Sequence, residues 1–226
     1  MNEIIAFAGT VFMGFFAIMN PVANTPVFVS LTKNFENSGK IHATAFKAVL
    51  YAFLIVTVFC VGGQFIFKIF GITLPAFQIT GGILLFSVGL QMIHGKPSHV
   101  QYPSTDKHKE AVQEQVENAS SSIAISPLAI PILAGPGTIA TAMNFVGATK
   151  SSGLDTIMHT ATVVIIFALM SFITFLMFIG GERIIKLLGH GIINVISRIM
   201  GLILAVISVQ MIISGINNAI KMYYQI

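Results

Sequence analysis

The chain has 226 residues, 55% of them apolar and 9% charged, with a formal net charge of +4; its mean hydropathy is +0.87 and its pI about 9.3. That balance excludes an ordinary soluble domain and a disordered chain, and indicates a membrane protein. Cys60 is the single cysteine, which excludes an internal disulfide and a cysteine metal site.

Crossing hydrocarbon takes roughly 20 apolar residues per helix, and six stretches qualify: 4–32, 44–67, 75–94, 123–148, 154–180 and 192–216. None shows the alternation of a barrel strand, so the expected class is an all-α membrane protein of six transmembrane helices. The first stretch opens Met-Asn-Glu, without the basic residues of a signal peptide, and is read as a retained helix. Its middle is NPVANTP, residues 20–26, where Pro21 and Pro26 break the helix. The second stretch carries Cys60, a small buried residue by its position. Between the third and fourth lies the long polar stretch 96–122, a linker in which 107–117 has the pattern of a short surface helix. The fourth stretch holds PLAIPILAGPG, residues 127–137, a second proline and glycine break. His159 lies early in the fifth and Arg198 near the start of the sixth.

Two passages recur. GGQFIFKIFG at 62–71 is matched by GGERIIKLLG at 180–189, and GILLFSVGLQMI at 82–93 by GLILAVISVQMI at 201–212, both about 118 residues later. Carried backwards, the register sets Asn20-Pro21 opposite Gly135-Pro136. The expected organisation is a first three-helix repeat over 1–95, a cytoplasmic linker over 96–122 and a second repeat over 123–226, each with a broken first helix. Three spans per copy make the second copy inverted, a plan common among secondary transporters. Nine of the 12 Lys and Arg residues fall around loops one, three and five, leaving Lys68, Lys150 and Lys221 on the other side. This places those loops in the cytoplasm and both termini outside a plasma (inner) membrane. The basic residues are spread along loops facing the lipid bilayer, so the pI calls for no nucleic acid.

Backbone groups freed at that depth must line a cavity or meet a ligand. A half-helix starting at Pro21 or Pro26, and another at Pro136, would aim N–H groups and a positive dipole end at the bilayer centre, where a carboxylate fits; carbonyls of the halves ending there suit an ammonium or a cation. Asn20, Asn24 and Thr25 on one break, with Thr138 and Thr141 beyond the other, add amides and hydroxyls. Gly135 and Gly137 permit close approach of a small substrate.

NPVANTP, PLAIPILAGPG, AFQITGGILLF (76–86) and SRIMGLILAVISVQMIISGI (197–216) resemble the MarC family of bacterial and archaeal integral membrane proteins, in order across all six spans. The resemblance implies two inverted three-helix repeats, and transport of small neutral amino acids such as glycine and alanine. It places the substrate region on Asn20, Pro21, Asn24, Thr25 and Pro26, and on Pro131, Gly135, Pro136, Gly137 and Thr138. Ala23 stands where the family's first motif has glycine, which narrows the cleft by a methyl.

Other polar residues have plainer readings. Gln91 and Gln210, equivalent in the two copies, are expected to bond neighbouring helices; Arg198 snorkels to the cytoplasmic surface; Glu182 and Arg183 make a surface ion pair. No cofactor and no enzyme activity are expected, because paired carboxylates, a Ser–His arrangement and metal ligands are all missing from the spans. No Asp or Glu lies deep in a span, so coupling to H+ or Na+ would fall to the substrate's own charge, to His159 or to backbone carbonyls. An exporter of other metabolites or drugs, and a channel with the broken helices as its filter, remain open alternatives.

Overall fold

The computed structural model describes residues 2–33, 35, 37–95, 133–147 and 154–224. Among them the regular structure is helical: α1 (Asn2–Met19), α2 (Pro21–Thr32), α3 (Ser38–Phe70), α4 (Leu74–Ile93), α5 (Pro136–Gly147), α6 (Leu154–Ile179) and α7 (Gly181–Tyr224). The linker 96–122, its expected surface helix, Pro131 and the first part of the fourth span lie outside the described residues.

Five stretches are long and apolar enough to cross a membrane: Ile4–Thr32, Ser38–Gly63, Leu74–Ile93, Thr156–Ile179 and Gly191–Tyr224. The described part of the expected fourth span, 133–147, holds α5, 12 residues long. Large apolar side chains such as Val58, Phe65, Phe70, Ile165, Phe172 and Val206 are more than half exposed, an outer surface suited to lipid rather than water. The chain is an integral, multi-pass membrane protein. Two helices outrun the expected spans: α3 begins at Ser38, capped by the Asn37 side chain, which accepts the Gly39 N–H at 2.9 Å, and α7 runs on to Tyr224.

The long helices pack as antiparallel pairs. α3 lies on α6, with Phe46 against Phe175 at 6.1 Å and Phe53 against Phe167 at 6.3 Å between ring centroids. α4 lies on α7 through small residues. A Cβ built on Gly82 would stand 2.8 Å from the Ser208 carbonyl oxygen and 3.2 Å from the Ile212 nitrogen. One built on Gly201 would stand 2.8 Å from the Gly89 oxygen and 3.1 Å from the Ile93 nitrogen. Residues 82, 89 and 93 are the counterparts of 201, 208 and 212 in the repeated passage, so the same backbone contact is made twice with the partners exchanged. Hydrocarbon supplies no hydrophobic drive between helices; close backbone approach at small residues supplies contact instead.

Matched glycines also mark matched breaks. Gly71 ends α3 with φ 62°, and Gly189 interrupts α7 with φ 71°. Residues 181–188 are therefore set apart from the rest of α7, whose long apolar stretch starts after Gly189. The core between the pairs holds Phe15, Ile18, Met19, Phe28, Leu85, Phe167 and Phe178, each at most 1% exposed.

Candidate functional site

The first break is at Asn20. Pro21 cannot continue the hydrogen-bond ladder of α1 and crowds the residue before it, and Asn20 takes φ 38°, ψ 66°, a left-handed conformation that asparagine tolerates better than most residues. From there it caps α2, its Oδ1 accepting the Ala23 N–H at 3.2 Å. Asn24 donates through Nδ2 to the Met19 carbonyl at 2.6 Å, and Thr25 Oγ1 donates to the Pro21 carbonyl at 2.7 Å. The Asn24 amide thus binds a carbonyl that the break sets free, whereas Thr25 makes the ordinary back-bond to the carbonyl one turn earlier. The half-helix starts at Pro21; Pro26, the other expected start, is half-buried in the second turn of α2. Only Pro21 has an Asn before it in a conformation that closes one helix and caps the next.

α5 opens the same way. Gly135 is buried and non-helical, Pro136 is the first helical residue and is exposed, and the first helical hydrogen bond runs from the Ile139 N–H to the Gly135 carbonyl at 3.1 Å. The amides of Gly137 and Thr138 stand ahead of it, among the orphan donors of a helix start. α2 has one fewer to offer: Pro21 and Pro136 both lack an N–H and Asn24, like Ile139, makes the first helical bond, but the Ala23 N–H goes to the Asn20 side chain. The two half-helices are therefore unequal as anion sites, and α5 is the richer. Each is 12 residues, about 18 Å, so a helix that starts near mid-membrane reaches one surface.

The breaks are brought together by the last turn of α1. A Cβ on Gly14 would lie 2.7 Å from the Phe145 ring and 3.7 Å from Thr141, and one on Gly137 would lie 3.1 Å from Ile18 and 3.2 Å from Leu85. Two residues further along that antiparallel register stand Asn20 and Gly135. The main partners of α2 are α7 and α6, with Gly181 under Thr25 and Val29. Asn20, Asn24, Thr25, Thr138 and Thr141 are each at most 3% exposed, and a Cβ on Gly137 would meet Ile18 and Leu85. Both breaks are buried inside the bundle. Within it the Thr141 hydroxyl is buried with no hydrogen-bond partner among the described residues.

Four polar residues escaped the sequence reading. Asn20 Nδ2 points at Ser197 Oγ of α7, 3.4 Å away, a long contact. Gln78 of α4, 2% exposed, donates to Asn144 of α5 at 3.0 Å and accepts from Asn218 of α7 at 3.2 Å. Gln78 and Ser197 occupy matched positions of the repeat, and each bonds an asparagine on, or next to, a proline-led half-helix. Their signal was present as a polar residue at the same register in both copies.

The remaining candidates lie elsewhere. Arg198 is exposed and rests against Gly95 at the end of α4, 3.2 Å from where a Cβ would be. His159 is half-buried and meets the Phe7 ring at 4.8 Å. Gln91 donates to Ser87 of its own helix at 3.2 Å, and Gln210 is exposed. Glu182 and Arg183 are both exposed and form no ion pair among the described residues, because neighbours in sequence project about 100° apart around a helix. Among the described residues no three His, Cys, Asp or Glu side chains converge as a metal site would need.

The chain matches the profile of the MarC family integral membrane proteins over residues 5–220. It is 40% identical to UPF0056 membrane protein YvbG of Bacillus subtilis over 208 residues, 92% of this chain and 93% of that one. To UPF0056 membrane protein PH0760 of Pyrococcus horikoshii it is 38% identical, with coverage of 92% and 93%. To UPF0056 inner membrane protein MarC of Escherichia coli it is 32% identical over 209 residues, 92% of each chain. No solved structure matches it.

Proposed function

The chain belongs to the MarC family, and on that footing we propose that it is a secondary transporter of small neutral amino acids, of the size of glycine or alanine, working by alternating access between two inverted three-helix halves in the inner membrane. The observation that carries this reading is the contact of Ile18 with Gly137, which brings the end of α1, and with it the Asn20 break, close to the start of α5 in the buried interior. The exchange of partners between Gly82 and Gly201 supports the inverted halves: in an antiparallel helix pair, a two-fold axis exchanging the helices lies perpendicular to them, hence along the membrane plane. The E. coli relative named as an inner membrane protein supports the location.

In this reading a substrate carboxylate takes the amides of Gly137 and Thr138 and the Thr141 hydroxyl, while its ammonium meets carbonyls where α1 ends, at Met19 and Asn20. Side chains larger than a methyl meet Ile18 and Leu85 and are excluded. Lipid, rather than nucleic acid or an organic cofactor, is the remaining partner, and H+ or Na+ supplies the driving gradient. The termini face outward under the positive-inside rule.

Purified protein in liposomes loaded with unlabelled alanine should take up labelled glycine or alanine above empty vesicles under a proton or sodium gradient. Gly137→Leu, checked for folding by its elution profile, should abolish that uptake. Flux no greater than that of empty vesicles for both amino acids under both gradients would overturn the assignment.

A further inference from the structure

A cavity of about 650 Å³ opens away from the broken-helix site, where α2 ends, α3 begins, and α6 passes into α7. Among the described residues its rim is polar and mostly basic: Lys33, Ser38, His42, Glu182 and Arg183 line it, two permanent cations against one carboxylate. All five are exposed, and among the described residues none of the three charged groups is ion-paired. α3 points its N-terminus at this rim with no acidic residue in its first turn, so its positive dipole end adds to the cations there. The back wall is apolar. Phe28 and Phe178 stack there at 4.4 Å with their rings 1° from parallel, beside Val29 and Ile179.

A polar cation rim over an apolar wall, at the end of membrane-crossing helices, has the chemistry of a phosphate group attached to hydrocarbon. We propose that this cavity holds the phosphate of an anionic phospholipid headgroup. Arg183 offers the planar fork that matches two phosphate oxygens, and Lys33 a point charge beside it. The acyl chains run along the apolar side of the cavity into the surrounding lipid. Lys33 belongs to the first half of the chain and Arg183 to the second, so one headgroup ties the two halves together at this surface. A free inorganic phosphate would use the same cations but gains nothing from the apolar wall, which is why the lipid is the better occupant.

The test uses the full chain purified in a neutral maltoside detergent, titrated with phosphatidylglycerol, phosphatidylcholine or inorganic phosphate, and read by thermal unfolding and by lipid retention in native mass spectrometry. Phosphatidylglycerol should raise the unfolding temperature and remain bound, with phosphatidylcholine and millimolar phosphate giving little. Arg183→Gln and Lys33→Gln, both at exposed positions, should each raise the half-saturating phosphatidylglycerol concentration roughly tenfold. Lys68→Gln and Lys221→Gln, cations elsewhere on the chain, should leave it unchanged. Equal binding by all four variants, or equal stabilisation by phosphatidylcholine, would overturn the site; equal stabilisation by inorganic phosphate would overturn the lipid as its occupant.

Discussion

Gly89 and Gly201 face each other across the α4–α7 seam so closely that a Cβ built on either would come within 2.8 Å of the other's carbonyl oxygen. The obstacle is backbone on both sides, so no side chain can rotate away to make room. Gly89→Ala should therefore force the helices apart and destabilise the protein by about 1–3 kcal/mol, the usual range for overpacking. It should be read as a lower unfolding temperature and a lower folded yield in detergent. Gly62→Ala is the control: nothing lies within 4 Å of its Cβ position, and alanine is the better helix former by about 0.5–1 kcal/mol. If Gly89→Ala unfolds no earlier than Gly62→Ala, the seam is looser than described.

Asn20 has a positive φ without being glycine. Glycine fits that conformation but loses the cap to Ala23 and the long contact to Ser197, so Asn20→Gly should cost a few tenths of a kcal/mol for the cap and at most about 1 kcal/mol in all. Asn20→Val loses the cap and puts a β-branched residue in the left-handed region, adding roughly 1–2 kcal/mol. Thermal unfolding of the two variants side by side checks the order; a valine variant as stable as the glycine one would mean that the chain does not turn left-handed there.

The first break could be read before the structure was seen because its causes are local. Proline lacks an N–H, asparagine tolerates left-handed φ, and both facts sit within NPVANTP. The α4–α7 seam was not read: Gly82 and Gly201 stood in the sequence only as part of a repeated passage, and a glycine does not name the helix that approaches it. Gln78 shows what local reasoning misses. Gln91 and Gln210 were singled out as the repeated pair, and Gln210 is exposed, while Gln78, passed over, is the residue that joins α4, α5 and α7. In a helix apolar on every side, periodicity carries no information about which face meets a neighbour. Pro26 failed as a helix start for a related reason: its alternative, Pro21, wins through the conformation of Asn20, which composition alone does not reveal.

Cys60 lies on α3 at 4% exposure, packed within the core. A thiol there is out of reach of a polar alkylating reagent and of solvent base. The folded protein in detergent should resist labelling by a charged maleimide for as long as it stays folded and should label fully once denatured. Stoichiometric labelling of the native protein would place that face of α3 outside the core.

Thr141 sets stability against function. Its hydroxyl is buried without a partner among the described residues, and a buried polar group left unpaired is destabilising by roughly 1–3 kcal/mol. Valine has nearly the same shape and no hydroxyl, so Thr141→Val should unfold at a higher temperature than the parent, by an amount equivalent to about 1 kcal/mol. If the hydroxyl is kept for a substrate carboxylate, the same change removes a charge-assisted hydrogen bond worth about 1.5–3 kcal/mol when formed. Glycine uptake in liposomes should then show a half-saturating concentration raised roughly tenfold or more. A purely structural threonine predicts no such pairing: stability would fall or hold, and uptake would follow the amount of folded protein. A Thr141→Val variant that is more stable and transports as well as the parent would take the hydroxyl out of the site, whereas one that is more stable and transports poorly would put it there.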